Sequence, residues 1–168
     1  MTGSHPSDVG RLGTPIGPVE VLVNNRGSVV RVMFAEDDTN VAEATSEACG
    51  RVMNQLEEYF NGKGRSFDLD LEPEGSDFEK RVWSELRQIP FGTTTTYGEI
   101  ARKLGDPGAS RAVGLANASN PIAIIIPCHR VIGADGDLTG YAGGLWRKKW
   151  LLAHESGQTS LDFGTKQF

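Results

Sequence analysis

Residues 126–131 read Ile-Pro-Cys-His-Arg-Val and set a thiol, an imidazole and a guanidinium side by side behind the aliphatic run 122–126. The thiolate, not the thiol, is the nucleophile, and a free cysteine with a pKa of about 8.5 holds only a few per cent of it at neutral pH. His129 and Arg130 are neighbours of the kind that raise that fraction. Adjacent side chains of an extended strand point to opposite faces, so His129 reaches Cys128 only where Pro127 bends the backbone, or through a water molecule. The local pattern fits two states of Cys128: a nucleophile facing a pocket, or an inert thiol packed in a core. Zinc does not fit, because no CxxC or HxxxH pair exists and Cys49, His5 and His154 are scattered along the chain. No metal and no cofactor is expected. Cys128, with His129 or His154 and Asn120, also supplies the residue types of a thiol hydrolase, without the local signature of one.

These residues need elements to hold them. Two β-like runs, 17–24 and 28–34, flank Asn25-Arg26-Gly27 and predict a hairpin. Val41, Ala44, Ala48, Val52, Leu56 and Phe60 recur every three or four positions and predict a helix over 40–60, stopped by Asn61-Gly62, with Cys49 packed beside its apolar face. Phe67, Leu69 and Leu71 alternate with acidic residues as in a half-buried strand. The first domain is thus read as α/β over 11–72, after a flexible lead-in 1–10 and before a linker 73–75. From 76 to 155 the reading is mostly helical. Ser76 with Glu79 forms a capping box for a helix facing inward through Phe78, Val82, Leu86 and Ile89, stopped by Pro90-Phe91-Gly92. Thr96 with Glu99 opens a short helix closed by Gly105, and 109–119 predicts another, ended by Asn120-Pro121. The pair has the shape of a helix-turn-helix. Its second helix is built of Ala109, Ser110, Ala112, Gly114, Ala116 and Ala118 around one Arg111, which suits tight internal packing or close approach to a DNA groove. The run 122–126 predicts a buried strand that Pro127 ends, and 156–168 is a tail.

The whole chain sets the limits. Its 168 residues, 38% hydrophobic, suit one domain or two small ones, and no apolar run approaches a membrane span. The start lacks a secretory pattern, and two cysteines make no disulfide framework, so a reducing cytoplasm is expected. The net charge of −5 opposes a protein held on nucleic acid by bulk electrostatics, but it is uneven. Residues 1–75 carry 6 Lys/Arg against 13 Asp/Glu, while 76–155 carry 10 against 8, so a polyanion would meet the second half.

NPIAIIIPCHRVIG, followed by GYAGG and RKKWLLAHE and preceded by RAVG, closely resembles the O6-alkylguanine-DNA alkyltransferases, from about Ser76 to Glu155. The resemblance implies a ribonuclease-H-like N-terminal domain with a small antiparallel sheet plus helix, then a C-terminal domain carrying a winged-helix-like helix-turn-helix. It implies stoichiometric transfer of an alkyl group from O6-alkylguanine in duplex DNA to Cys128, leaving O4-alkylthymine open as a second substrate. Cys128 matches the acceptor, His129 the base acting through water, Glu155 the carboxylate that orients it, Tyr97 the phenol near guanine N3, and Asn120 a hinge residue. Arg111 matches the residue that replaces the flipped base. Ser110, Ala112 and Gly114, with Thr94, Thr95 and Tyr97, are expected against the minor groove. Val131 and the loop of Gly140, Tyr141, Ala142, Gly143 and Gly144 match the base pocket. Ala142 stands where some members have serine, and the small loop residues imply room for alkyl groups larger than methyl. Trp146 is bulkier than the family pattern leads one to expect. A monomer is expected, with cooperativity on DNA left open. The competing reading is a non-catalytic module that recognises an alkylated base; such modules lack the acceptor cysteine.

Overall fold

The computed structural model describes residues 6–36 and 46–157. Strand β2 (Val19–Asn24) buries Val19, Val21 and Val23, the period-two face of a sheet. It pairs antiparallel with β3 (Val29–Phe34), Val21 opposite Val32. In the turn between them Asn24 Oδ1 accepts the backbone N–H groups of Arg26 and Ser28 at 2.9 and 3.0 Å, and Gly27 takes φ 80°. The other edge of β2 pairs with β1 (Pro6–Leu12). Residues 6–10, expected in the lead-in 1–10, therefore belong to the sheet. This strand is poor in apolar residues and forms by pairing rather than by a pattern of its own, which hid it from periodicity. Residues 1–5 of that lead-in lie outside the described residues.

Helix α1 (Glu47–Phe60) is capped by Ser46, whose hydroxyl accepts Cys49 N–H at 3.1 Å. It buries Cys49, Val52, Leu56 and Tyr59 and packs on β1 and β2. A Cβ on Gly10 would stand 2.4 Å from Met53 Sδ, so a larger residue there would have to push the Met53 side chain aside. The expected helix start, with Val41 and Ala44, lies outside the described residues.

Two expected strands are not formed as such. Leu71 makes one isolated bridge to Val29, with Asp70 and Glu72 bonding the Val29 backbone at 2.8 Å each. Ile122 likewise bridges Val32 once, after which the chain turns: Ile125 N–H donates to the Ala123 carbonyl at 2.8 Å around Ile124 at φ 72°. The run is buried as read, but extended pairing needs a free sheet edge that only Ile122 reaches.

The chain divides into two compact units, one of residues up to Glu74 with Pro121–Ile125, the other of Gly75–Asn120 and the chain from Ile126 onward. Residues 121–125, expected inside the second domain, thus return to the first. In the second unit α2 (Asp77–Leu86) begins with the full Ser76–Glu79 capping box. Its Trp83 Nε1 donates to the Ala116 carbonyl at 2.8 Å, fixing α2 to α4 (Ser110–Ala118). Thr96 caps α3 (Tyr97–Lys103) by accepting Glu99 N–H, while the Glu99 carboxylate pairs with Arg102. A two-residue parallel ladder joins β4 (Thr95–Thr96) to β5 (Val131–Ile132), and α5 (Leu145–Glu155) closes the unit.

Candidate active site

Cys128 lies on a turn rather than at a strand end. Pro127, at φ −81° and ψ 65°, forms an inverse γ-turn in which Cys128 N–H donates to the Ile126 carbonyl at 2.7 Å. Residues Cys128–Arg130 then make one 3-10 turn. At three residues per turn their side chains fan out around the axis instead of alternating. All three are buried. Asn117 Nδ2 donates to the Cys128 carbonyl at 3.3 Å and Asn120 Nδ2 to that of Ile126 at 2.8 Å, so the end of α4 fixes the turn. Burial raises the Cys128 pKa, against the opposing pull of Asn120 and of the Lys148 charge.

The 3-10 turn sends His129 and Arg130 onto one carboxylate. His129 Nε2 lies 2.7 Å from Glu155 Oε2; Arg130 bonds Glu155 through Nε at 2.7 Å and Nη2 at 3.0 Å, and Ile89 O through Nη1 at 2.7 Å. Burial alone would raise the Glu155 pKa, but His129 and Arg130 hold it well below the usual carboxylate range. Burial lowers that of His129 despite the Glu155 partner. With Nε2–H donating to an anionic Glu155, Nδ1 carries the lone pair, and it has no hydrogen-bond partner among the described residues. The arrangement orients a neutral imidazole as a base. Arg130, a neighbour of the kind expected to favour the thiolate, instead has its guanidinium committed to Glu155 and Ile89.

The cation acting on the thiol is Lys148, which sequence reasoning did not single out. It is fully buried on α5, donates from Nζ to the Thr139 carbonyl at 2.8 Å, and has its pKa lowered by burial to about 8, against the opposing field of Cys128. The signal was there: Lys148, Leu151 and Glu155 follow one helical stripe, and a lysine in an apolar register needs a reason. Burial, and next a Cys128 thiolate, keep the Tyr141 hydroxyl well above the usual phenol range, so this loop residue stays neutral. Val131 is fully buried behind the turn, Gly144 takes φ 95° at the start of α5, and Ala142 is exposed.

Tyr97, at the start of α3, bonds the Thr139 hydroxyl at 2.6 Å, and its ring edge lies 3.8 Å from where a Gly114 Cβ would stand. Helix α4 turns Val113, Ala116 and Asn117 inward and exposes Arg111, Ala112, Leu115 and Ala118, and its C-cap Ser119 is exposed as well. The Arg111 side chain makes no hydrogen bond or ion pair among the described residues. Thr94 is exposed, and Thr95 and Ser110 are half-buried. Trp146 faces solvent, 51% exposed, with the Arg147 guanidinium 4.6 Å from its ring centroid. Among the described residues no group of three or more His, Cys, Asp or Glu could hold a metal ion, and no helix is long and apolar enough to cross a membrane.

A small α/β unit, a helix-turn-helix unit and a buried thiol beside an imidazole–carboxylate pair define a cysteine-dependent protein with a nucleic-acid-binding type of fold. Residues 77–157 match the family model of the 6-O-methylguanine DNA methyltransferase DNA binding domain, and residues 10–73 that of its ribonuclease-like domain. The methylated-DNA–protein-cysteine methyltransferase of Methanosarcina acetivorans is 51% identical over 84% of this chain and 94% of its own. That of Mycobacterium bovis is 46% identical over 90% and 93%. The crystal structure of Mycobacterium tuberculosis OGT in complex with DNA matches with a TM-score of 0.81 and 43% identity, covering 91% of this chain and 96% of that one. The chain belongs to the methylated-DNA–protein-cysteine methyltransferase family.

Proposed function

We propose that this protein repairs O6-alkylguanine in double-stranded DNA by moving the alkyl group, once and irreversibly, to Cys128. The observation that carries the reading is the buried turn in which Cys128 is followed by an imidazole oriented by Glu155 at 2.7 Å. His129 Nδ1 takes the thiol proton through a water molecule, and Glu155 holds the imidazolium that results. The thiolate attacks the alkyl carbon, the bond to O6 breaks, and Tyr97 donates to N3 of the departing guanine. Asn120 keeps the turn in place from the end of α4. Val131, Gly140, Tyr141, Ala142, Gly143 and Gly144 wall the pocket.

A base inside a duplex is out of reach of a buried thiol, so it is flipped out, which costs a few kcal/mol. Helix α4 docks in the minor groove through Ser110, Ala112 and Gly114, Thr94 and Thr95 meet the backbone beside it, and Arg111 fills the vacated stack. The positive excess of residues 76–155 supports this docking. The protein works as a monomer in the cytoplasm, where its two thiols stay reduced. A thioether is stable and no second nucleophile removes the alkyl group, so each molecule acts once.

The test is incubation with excess duplex carrying one O6-methylguanine, followed by intact mass and peptide mapping. One methyl per protein on Cys128, lost in Cys128→Ser with DNA binding retained, is expected. Repeated turnover, or binding with no gain of mass, would refute the reading.

A further inference from the structure

We infer that Thr139 is a positioning residue for the leaving-group step, a hydroxyl that aims the Tyr97 proton at the departing guanine. The inference rests on the repair reading above and concerns a residue to which that reading gives no role. Thr139 Oγ1 and Tyr97 Oη lie 2.6 Å apart, and the Thr139 hydroxyl has no other partner among the described residues. Its carbonyl accepts the bond from the buried Lys148 at 2.8 Å. One residue of the loop between β5 and α5 thus joins the phenol on α3 to the lysine whose charge favours the Cys128 thiolate.

A phenol has one proton to donate and lone pairs to accept with. If Tyr97 donates to guanine N3, it cannot also donate to Thr139, so the threonine hydroxyl must be the donor of the pair. That polarity turns the phenolic proton away from Thr139 and toward the base. As the Cys128 sulfur forms its bond to the alkyl carbon, the electron pair of the breaking C–O6 bond passes to guanine. The Tyr97 proton moves to N3, neutralising guanine and leaving a tyrosinate, which regains a proton from solvent. The Thr139 bond to that oxygen becomes charge-assisted as the proton leaves, so it strengthens in the transition state rather than on binding. Lys148 holds the Thr139 backbone while this happens.

The experiment is single-turnover methyl transfer from a duplex with one O6-methylguanine, using wild type, Thr139→Val, Thr139→Ser, Tyr97→Phe and the double variant Tyr97→Phe/Thr139→Val. Thermal melts confirm that each is folded; Thr139 is exposed, and its serine replacement keeps the hydroxyl should the valine perturb the loop. Thr139→Val is expected to slow transfer about three- to tenfold, the range of one hydrogen bond, with DNA affinity unchanged. Thr139→Ser should restore the rate, and the double variant should be no slower than Tyr97→Phe alone. A wild-type or faster rate for Thr139→Val, as for a hydroxyl that only closes an empty pocket, would overturn the inference. So would losses that multiply in the double variant. Wild-type protein that adds no methyl to Cys128 would sink the repair reading and this inference with it, an outcome distinct from a wild type that reacts and a Thr139→Val that reacts equally.

Discussion

At Cys128 burial opposes the thiolate while Asn120 and the ammonium of Lys148 favour it. Lys148→Met should therefore raise the thiol pKa further, and iodoacetamide labelling of Cys128 at pH 7, where Lys148 (pKa lowered to about 8) is mostly charged, followed by peptide mapping, should slow by about tenfold for each unit of that rise. Cys49, fully buried and pushed to about 11 first by burial and then by Asp8, should stay unlabelled in both proteins. His129 gives a second consequence. Its folded pKa lies below the ordinary value of about 6.5, so the unfolded chain takes up the proton first as pH falls. Stability is therefore lost on acidification from about that value downward, and the depressed Glu155 acts in the same sense at still lower pH. The urea midpoint should be lower at pH 5.5 than at pH 7.5; equal midpoints would contradict the burial of His129. At this scale the sequence pointed to the cysteine, the histidine and the glutamate through a family pattern, and it pointed Arg130 at the wrong partner. Nothing local could reveal that Arg130 turns to Glu155, 25 residues away. The buried stripe of α5 could have revealed Lys148.

Helix α4 was legible as a helix of small residues, and the small residues suggested a smooth surface. The structure adds a ridge: Leu115 is 70% exposed on the same face as Arg111, one turn further along, with Ala112 and Ala118 beside it and no acidic residue on that face. If that face enters a minor groove, Leu115 meets sugar edges or base steps, as apolar wedges of groove-bending proteins do. Leu115→Glu should then weaken binding to undamaged duplex at least tenfold, measured by fluorescence anisotropy, while reaction with free O6-benzylguanine continues at the wild-type rate. An unchanged DNA affinity would move the interface off α4. The elements that sequence reasoning missed share a physical cause. Alternation over 67–71 and the aliphatic run 122–126 report burial, and burial does not require a ladder. Both segments touch β3 at single bridges, and the second then turns at a β-branched residue with φ 72°, a conformation no sequence pattern announces. Capping chemistry was the better guide: Ser76 and Thr96 start their helices where the side chains indicate.

For the whole molecule the net charge of −5 leaves the positive excess of residues 76–155 as the only broad attraction to DNA, so affinity should fall as salt rises. The reaction itself changes stability. Cys128 is 7% exposed, held by a γ-turn before it and by bonds from Asn117 and Asn120 around it, so an added alkyl group has little room to move into. Overpacking of this kind costs about 1–3 kcal/mol. For a chain of this size that lowers the melting temperature by about 3–10 °C. The measurement is differential scanning calorimetry before and after complete reaction with O6-benzylguanine as the free base, because bound DNA would stabilise the native state by mass action and mask the loss. A methyl group delivered from a short duplex that is then removed should give a smaller drop than benzyl, since the added volume is smaller. An unchanged melting temperature after complete benzylation would mean that the space beside the sulfur already accommodates the larger group. The openness inferred from Ala142, Gly143 and Gly144 would then reach the thiol itself, and the spent protein would have no intrinsic tendency to unfold.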